Sequence, residues 1–400
     1  MNLAARLLSG GLILAAAITA AGCATDGGMA AAPLPNQADT PFTELDLAPP
    51  ADAEINQVLA RVPPAKRDRG RGRPEGRNAL IGLYGEWIND STDAPGQFDG
   101  GTSLLQVSAI TEGACFDPEV NRAGTLLTFA STMHRPTSDI YLKPTDGKTI
   151  TQLTTDPADD MMPSFSPDGE RIAFASNRSG HWNVYIASVH GGPPVQVTSN
   201  PDPELHPSWS PDGTMLAYCR FGSQSGRWEL WVVKLANPGV QHFLDYGLFP
   251  EWNPDVARSK ILFQRARQRG SRLHSIWTVD FVNGEAIHPT EIVSASNAAA
   301  INPTWSPDGN RIVFVTVLQP DDDELAPEQS DVWIVNLNGD GRTNLTSGRF
   351  ANFQPSWGTN GYVYFISSRT GVDNIWAVPT ARAIDLSRPA GGTPTARVGP

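Results

Sequence analysis

Cysteine, histidine and positive charge are all scarce in this chain. Its 400 residues include 3 Cys and 7 His, and 30 Lys+Arg stand against 42 Asp+Glu, for a formal net charge of −12. Three cysteines are too few for a disulfide-stapled scaffold, and no pair of them has zinc-finger spacing. Cys115 and Cys219 fall in repeats that are not neighbours, so they are expected to be buried as small apolar side chains and not bridged. An acidic chain of this kind argues against nucleic acid as a partner. No Gly-x-Ser-x-Gly nucleophile elbow occurs, and the stretch after Pro379 offers no hydrolase domain. Long apolar runs are missing as well: Leu7 to Ala21 is Gly/Ala-rich and too short for a stable transmembrane helix.

What the chain does have is a repeat. An aromatic residue precedes a Pro-Asp-Gly-type turn at Phe116-Asp117-Pro118, Phe165-Ser166-Pro167-Asp168-Gly169, Trp209-Ser210-Pro211-Asp212-Gly213, Trp252-Asn253-Pro254-Asp255, Trp305-Ser306-Pro307-Asp308-Gly309 and Trp357-Gly358-Thr359-Asn360-Gly361. These aromatics lie 49, 44, 43, 53 and 52 residues apart, the period of a four-stranded propeller blade. Each turn feeds an apolar strand such as Arg171-Ile172-Ala173-Phe174-Ala175. A second aromatic strand follows: Asp139-Ile140-Tyr141, Asn183-Val184-Tyr185, Glu229-Leu230-Trp231, Ser275-Ile276-Trp277, Asp331-Val332-Trp333 and Asn374-Ile375-Trp376. Proline presets the first turn corner, aspartate bonds locally to backbone, and glycine supplies the positive φ that ends the turn. The aromatic before it is expected on an inner strand, wedged between blades.

The spacing therefore predicts an all-β, six-bladed β-propeller over residues 102–380. No fourth strand is evident after Trp376, and Leu104-Leu105-Gln106-Val107-Ser108 has the right pattern to complete the last blade from upstream. Closure of that kind leaves the ring without an open sheet edge.

The Ser-Pro-Asp-Gly turns, with the Ser176-Asn177-Arg178-Ser179-Gly180 and Ser368-Arg369-Thr370-Gly371 loops, resemble the TolB-type six-bladed propeller built of WD40-like repeats. Similar repeats occur in prolyl-oligopeptidase-type propellers and in oligogalacturonate lyases. TolB carries an α/β domain before its propeller, and the segment preceding this one has no such pattern. The lyase resemblance implies several histidines and a glutamine converging around manganese at the channel mouth. Aligning the repeats puts Gly113, Met162, His206, Phe249, Asn302 and Gln354 there, with one histidine among them. His206, Asn302 and Gln354 are the candidate ligand-binding residues. Asp159, Asp160, Asp202 and Glu204 lie in the adjoining loops. On the same loop face Arg265, Arg267, Arg269 and Arg272 stand beside Asp321, Asp322, Asp323 and Glu324, a basic lobe next to an acidic one that suits a dipolar partner or an extended peptide.

The N-terminus points to the cell envelope. Arg6 and the apolar stretch after it read as a signal peptide, residues 1–22, and Thr19-Ala20-Ala21-Gly22-Cys23 resembles a bacterial lipobox. That resemblance implies cleavage before Cys23 and its acylation with palmitate-type chains. Ala24, in place of Asp, resembles the pattern for sorting to the outer membrane, facing the periplasm. The alternative is a plain secretory cleavage. Residues 23–79 read as a tether; about 55 flexible residues span roughly 40 Å. Within it Arg61, Lys66, Arg67, Arg69, Arg71, Arg73 and Arg77 form a basic run suited to anionic lipid or cell-wall glycan. Residues 80–101 form a packing segment around Tyr84 and Trp87, and residues 381–400 a flexible tail. The reading is a lipid-anchored module that binds or scaffolds an envelope protein or peptide, with no cofactor. The competing class is a metal-assisted polysaccharide lyase or hydrolase.

Overall fold

Each sequence repeat folds as one four-stranded antiparallel blade, and six blades close a ring. The structure, a computed structural model, describes residues 104–266, 274–295, 298–318, 330–346, 350–381 and 384, with the backbone of the short pair Leu80–Ile81 and Trp87–Ile88. The expected signal peptide, Cys23, the tether and nearly all of the tail lie outside the described residues. The inner strands are Cys115–Val120, Asp160–Phe165, Glu204–Trp209, Leu248–Trp252, Ala298–Trp305 and Asn352–Trp357. Outer strands are 2 residues long in blades one, two and five, where Thr151–Gln152, Val195–Gln196 and Thr343–Asn344 serve. Blades three and four have long ones, Asn237–Tyr246 of 10 residues and Glu285–Val293 of 9.

Closure occurs as the upstream segment predicted. Leu105–Gln106 pairs antiparallel with Asn374–Pro379 as the fourth strand of blade six, Gln106 opposite Trp376. The latch is Ser108: its buried hydroxyl donates to Asn374 Oδ1 at 2.9 Å and accepts the Ile375 N–H at 2.8 Å. Thr154, Thr198 and Thr346 accept the corresponding N–H groups of Ile140, Val184 and Val332 in three other blades. Ser108→Ala would leave the buried Ile375 N–H without its acceptor, and is expected to cost about 1–3 kcal/mol in urea denaturation. Ser108→Thr, which copies the other blades, is expected to stay within about 0.5 kcal/mol of wild type.

The Ser-Pro-Asp-Gly turns form as their chemistry dictates. Gly169, Gly213 and Gly309 have φ of 75°, 70° and 66° and return their N–H groups to the carbonyls of Ser166, Ser210 and Ser306 at 2.8 Å. Each serine hydroxyl donates to the turn aspartate and accepts an N–H from the outgoing strand. Blade one departs from the expected register. Phe116-Asp117-Pro118 is not its turn but lies inside its inner strand. The turn is Asn121 to Gly124, with Asn121 Oδ1 accepting from Thr125 and Leu126 as the serine does elsewhere, and Gly124 at φ 73°. Val120 therefore takes the aromatic's place, 45 residues before Phe165.

The core lies in the seams between blades. At one seam Leu262, Ile276 and Val293 of blade four pack on Trp305, Ile312, Phe314 and Trp333 of blade five. At the closing seam Leu127, Phe129 and Tyr141 of blade one meet Tyr364, Ile366 and Ile375 of blade six. The aromatics before the turns of blades two to six, Phe165, Trp209, Trp252, Trp305 and Trp357, are buried wedges as expected, whereas Phe116 is half-buried. Two of them tie blades together through the indole: Trp209 Nε1–H donates to the Ser164 carbonyl at 3.0 Å and Trp305 Nε1–H to that of Glu251 at 3.1 Å. Cys115 and Cys219 are both free and buried.

Candidate functional site at the channel mouth

Every inner strand contains the same interruption, a residue followed by proline. The six pairs are Asp117-Pro118, Met162-Pro163, His206-Pro207, Phe249-Pro250, Asn302-Pro303 and Gln354-Pro355. Proline has no N–H for the ladder, so it fits a strand only at a bulge or edge. In all six blades the register with the second strand shifts at this point. The residue before each proline is turned to positive φ, at 50°, 55°, 52°, 53°, 47° and 51° in blade order. Six non-glycine residues in that sparsely populated region form one ring, and all of them line a cavity of about 260 Å3 running through the centre of the propeller.

Asp117, and not Gly113, is thus the blade-one member of the ring, a correction that follows from the shifted register. His206, Asn302 and Gln354 are brought together in it as predicted. Gln354 is already engaged: its amide donates to Asp117 and its Oε1 accepts the Asp117 N–H at 2.9 Å. Asp117 Oδ2 accepts the Met162 N–H at 3.2 Å, passing the link on to blade two. The His206 ring lies 3.9 Å, centroid to centroid, from Phe249. Burial holds its imidazole down at about 3, so it is neutral at physiological pH. The Asn302 N–H donates to Gln264 Oε1 at 2.8 Å.

A second ring lies beneath the first, at the residue after each proline: Glu119, Ser164, Ser208, Glu251, Thr304 and Ser356. Four of its members accept backbone N–H groups of the following blade. Glu119 Oε1 takes Phe165 N–H at 2.8 Å, Ser208 takes Trp252 N–H at 3.1 Å, Glu251 Oε2 takes Trp305 N–H at 3.0 Å, and Ser356 takes Val120 N–H at 3.1 Å. Burial raises Asp117 to about 7 and Glu119 to about 8; Glu251, also near 8, is raised first by burial and further by the charge of Glu119. Sequence reasoning misses these three carboxylates, although the repeated Pro-polar-aromatic triplet is a signal for one of them, Glu251.

The loops before the inner strands share a face with those joining strands two and three. Asp159 accepts from Ser138 N–H at 3.0 Å, and Asp160 holds Arg178 at 2.8 Å. On this face Arg265 is committed to an ion pair with Asp245 at 3.0 Å and lies over Trp277. Arg267, Arg269, Arg272, Asp321, Asp322 and Asp323 lie outside the described residues. No group of three His, Cys, Asp or Glu side chains placed to hold a metal ion occurs among the described residues.

Comparison with known proteins agrees with this architecture. The TolB beta propeller domain family matches residues 101–280. Protein TolB homolog of Chlorobium luteolum is 37% identical over 82 residues, covering 20% of this chain and 18% of that protein. The aligned stretch is thus under a fifth of that relative's length. The solved TolB structure from Agrobacterium tumefaciens superposes with a TM-score of 0.51 at 21% identity, covering 67% of this chain and 91% of that one, which speaks for the fold alone. Oligogalacturonate lyase from Vibrio parahaemolyticus gives 0.49 at 13% identity over 70% and 94%, a likeness too low to bear on activity.

Proposed function

From the premise that the chain carries a TolB-like six-bladed β-propeller, we propose that it is a lipid-anchored envelope module that binds a protein or peptide partner at the mouth of its channel. The observation that carries this is the first ring. One backbone device is repeated six times with proline constant, while the residue it presents is Asp, Met, His, Phe, Asn or Gln. A constant scaffold with a varied, half-polar display at an open cavity is the makeup of a recognition site. The anchor at Cys23 and the tether would hold that site off the outer membrane, on its periplasmic side.

Two experiments test the two halves of this reading. Benzoylphenylalanine at Phe249, which keeps an aromatic ring in the mouth, is expected to capture a discrete envelope protein on irradiation of intact cells. The same probe at Val195, exposed on the edge of blade two, is expected not to capture it. Glycan adducts, or none at normal expression, would overturn the protein-binding reading. Cys23→Ser is expected to abolish palmitate labelling and release the chain from the membrane fraction; unchanged labelling would remove the anchor.

A further inference from the structure

The second ring contains more ionisable groups than its bonds to the backbone require. Serine accepts the neighbouring N–H as well as glutamate does, at 3.1 Å from Ser208 and Ser356 against 2.8 Å and 3.0 Å from Glu119 and Glu251. The further bonds of the glutamates, from the Ser164 hydroxyl to Glu119 at 3.4 Å and from the Thr304 hydroxyl to Glu251 at 2.6 Å, need an acceptor oxygen but not an ionisable one. Blades one and four are opposite in a ring of six, so the two glutamates face one another across the axis, and the charge of Glu119 is felt at Glu251. Elsewhere the protein matches four of its enclosed carboxylates with arginine: Arg135 with Asp139 at 3.1 Å, Arg178 with Asp160 at 2.8 Å, Arg220 with Glu229 at 3.2 Å and Arg265 with Asp245 at 3.0 Å. Glu204, buried with no ion pair among the described residues, is an exception outside the channel. In the channel no ion pair to Glu119 or Glu251 occurs among the described residues. The other titratable groups lining the cavity are Asp117, the neutral His206, and Arg122, exposed at the turn end. Ionising two buried carboxyl groups without a counter-charge is costly, which keeps them largely protonated at neutral pH, and a cation delivered by a ligand would offset that cost.

Building on the reading of the channel mouth as the recognition site, we propose that the channel receives a lysine or arginine side chain of the partner, its head between Glu119 and Glu251. The wall above suits such a group. Met162, His206 and Phe249 offer an apolar flank for the methylene stem, and Asn302 offers an amide. A cavity of about 260 Å3 admits one such side chain. The net charge of −12 favours the approach of a basic peptide.

The test uses the purified chain and agmatine, a guanidinium and an ammonium joined by a four-carbon stem, titrated calorimetrically at pH 7.5 in two buffers of different ionisation enthalpy. Saturable one-to-one binding is expected, with release of up to about two protons as the docked cation favours the ionised carboxylates. Butylguanidine, which carries the guanidinium alone, is expected to bind at the same site, and neutral butylurea is expected not to bind. Glu119→Gln and Glu251→Gln keep the acceptor for the next blade, and each should weaken agmatine at least about tenfold and reduce the proton release. Glu119→Ser, which copies blade six, should do the same while melting as a folded protein. Absence of saturable binding, unchanged binding by the double Gln variant, or binding of calcium chloride in place of agmatine would each overturn the proposal. Capture from Phe249 without agmatine binding would remove only this inference; agmatine binding without capture would remove only the protein partner.

Discussion

Trp305→Ala is expected to lower the unfolding free energy by about 3–5 kcal/mol, the range for truncating a large buried aromatic. Trp305 is 3% exposed at the seam between blades four and five. It packs with Leu262 and Ile276 on one side and Ile312, Phe314 and Trp333 on the other. Its indole N–H and backbone N–H both bond to Glu251, at 3.1 Å and 3.0 Å. Truncation opens a cavity across two blades and leaves the Glu251 carbonyl without its indole donor. Phe243, 43% exposed on the outer strand of blade three, is the control. Its replacement by Ala should stay within about 1 kcal/mol. Urea midpoints at pH 7 measure both; equal effects would mean that the seam aromatics are not what joins the blades.

The second large effect is one of pH. Glu119 and Glu251 titrate near 8 in the folded chain against 4.5 as the ordinary glutamate value. Folding therefore favours their protonated forms. The stability this contributes is fully present below about pH 4.5 and is lost as pH rises through about 8. A tenfold bias in a protonation equilibrium is worth about 1.4 kcal/mol, so the two groups together make the protein less stable at pH 9 than at pH 6 by an amount on the order of several kcal/mol. Asp117 and Glu204, both raised to about 7 chiefly by burial, act in the same direction at lower pH. In melts from pH 5 to 9 the Glu119→Gln/Glu251→Gln double variant should lose most of the decline above pH 7 and outlast wild type at pH 9. Parallel curves for the two proteins would show that these carboxylates are not held protonated by the channel.

Much of the fold is legible in the residues because propeller geometry repeats its local requirements. A Pro-Asp-Gly turn, an aromatic wedge and a polar-apolar-aromatic third strand recur wherever a blade needs them, and Leu105–Gln106 supplies the strand that blade six lacks. Blade one is the exception because Phe116-Asp117-Pro118 imitates the aromatic-turn element, while its real turn uses Asn121 and its wedge position holds Val120. Once that register moves, the ring of residues before proline becomes complete and Asp117 joins His206, Asn302 and Gln354. The pairing of Asp117 with Gln354 depends on blades one and six touching, a contact 237 positions apart in sequence. The opposition of Glu119 and Glu251 likewise exists only after the ring has closed, so neither local pattern nor composition could announce it.

Recognition at one mouth of the channel is tested most directly by comparing photo-crosslinking from its two ends in intact cells. Benzoylphenylalanine is placed either at Phe249, in the ring of residues before proline, or at Thr359, in the turn at the opposite end of the same cavity. The expected result is one discrete protein adduct from Phe249 and none from Thr359. The same adduct from both ends, or from Thr359 alone, would contradict it and place the partner on the turn face.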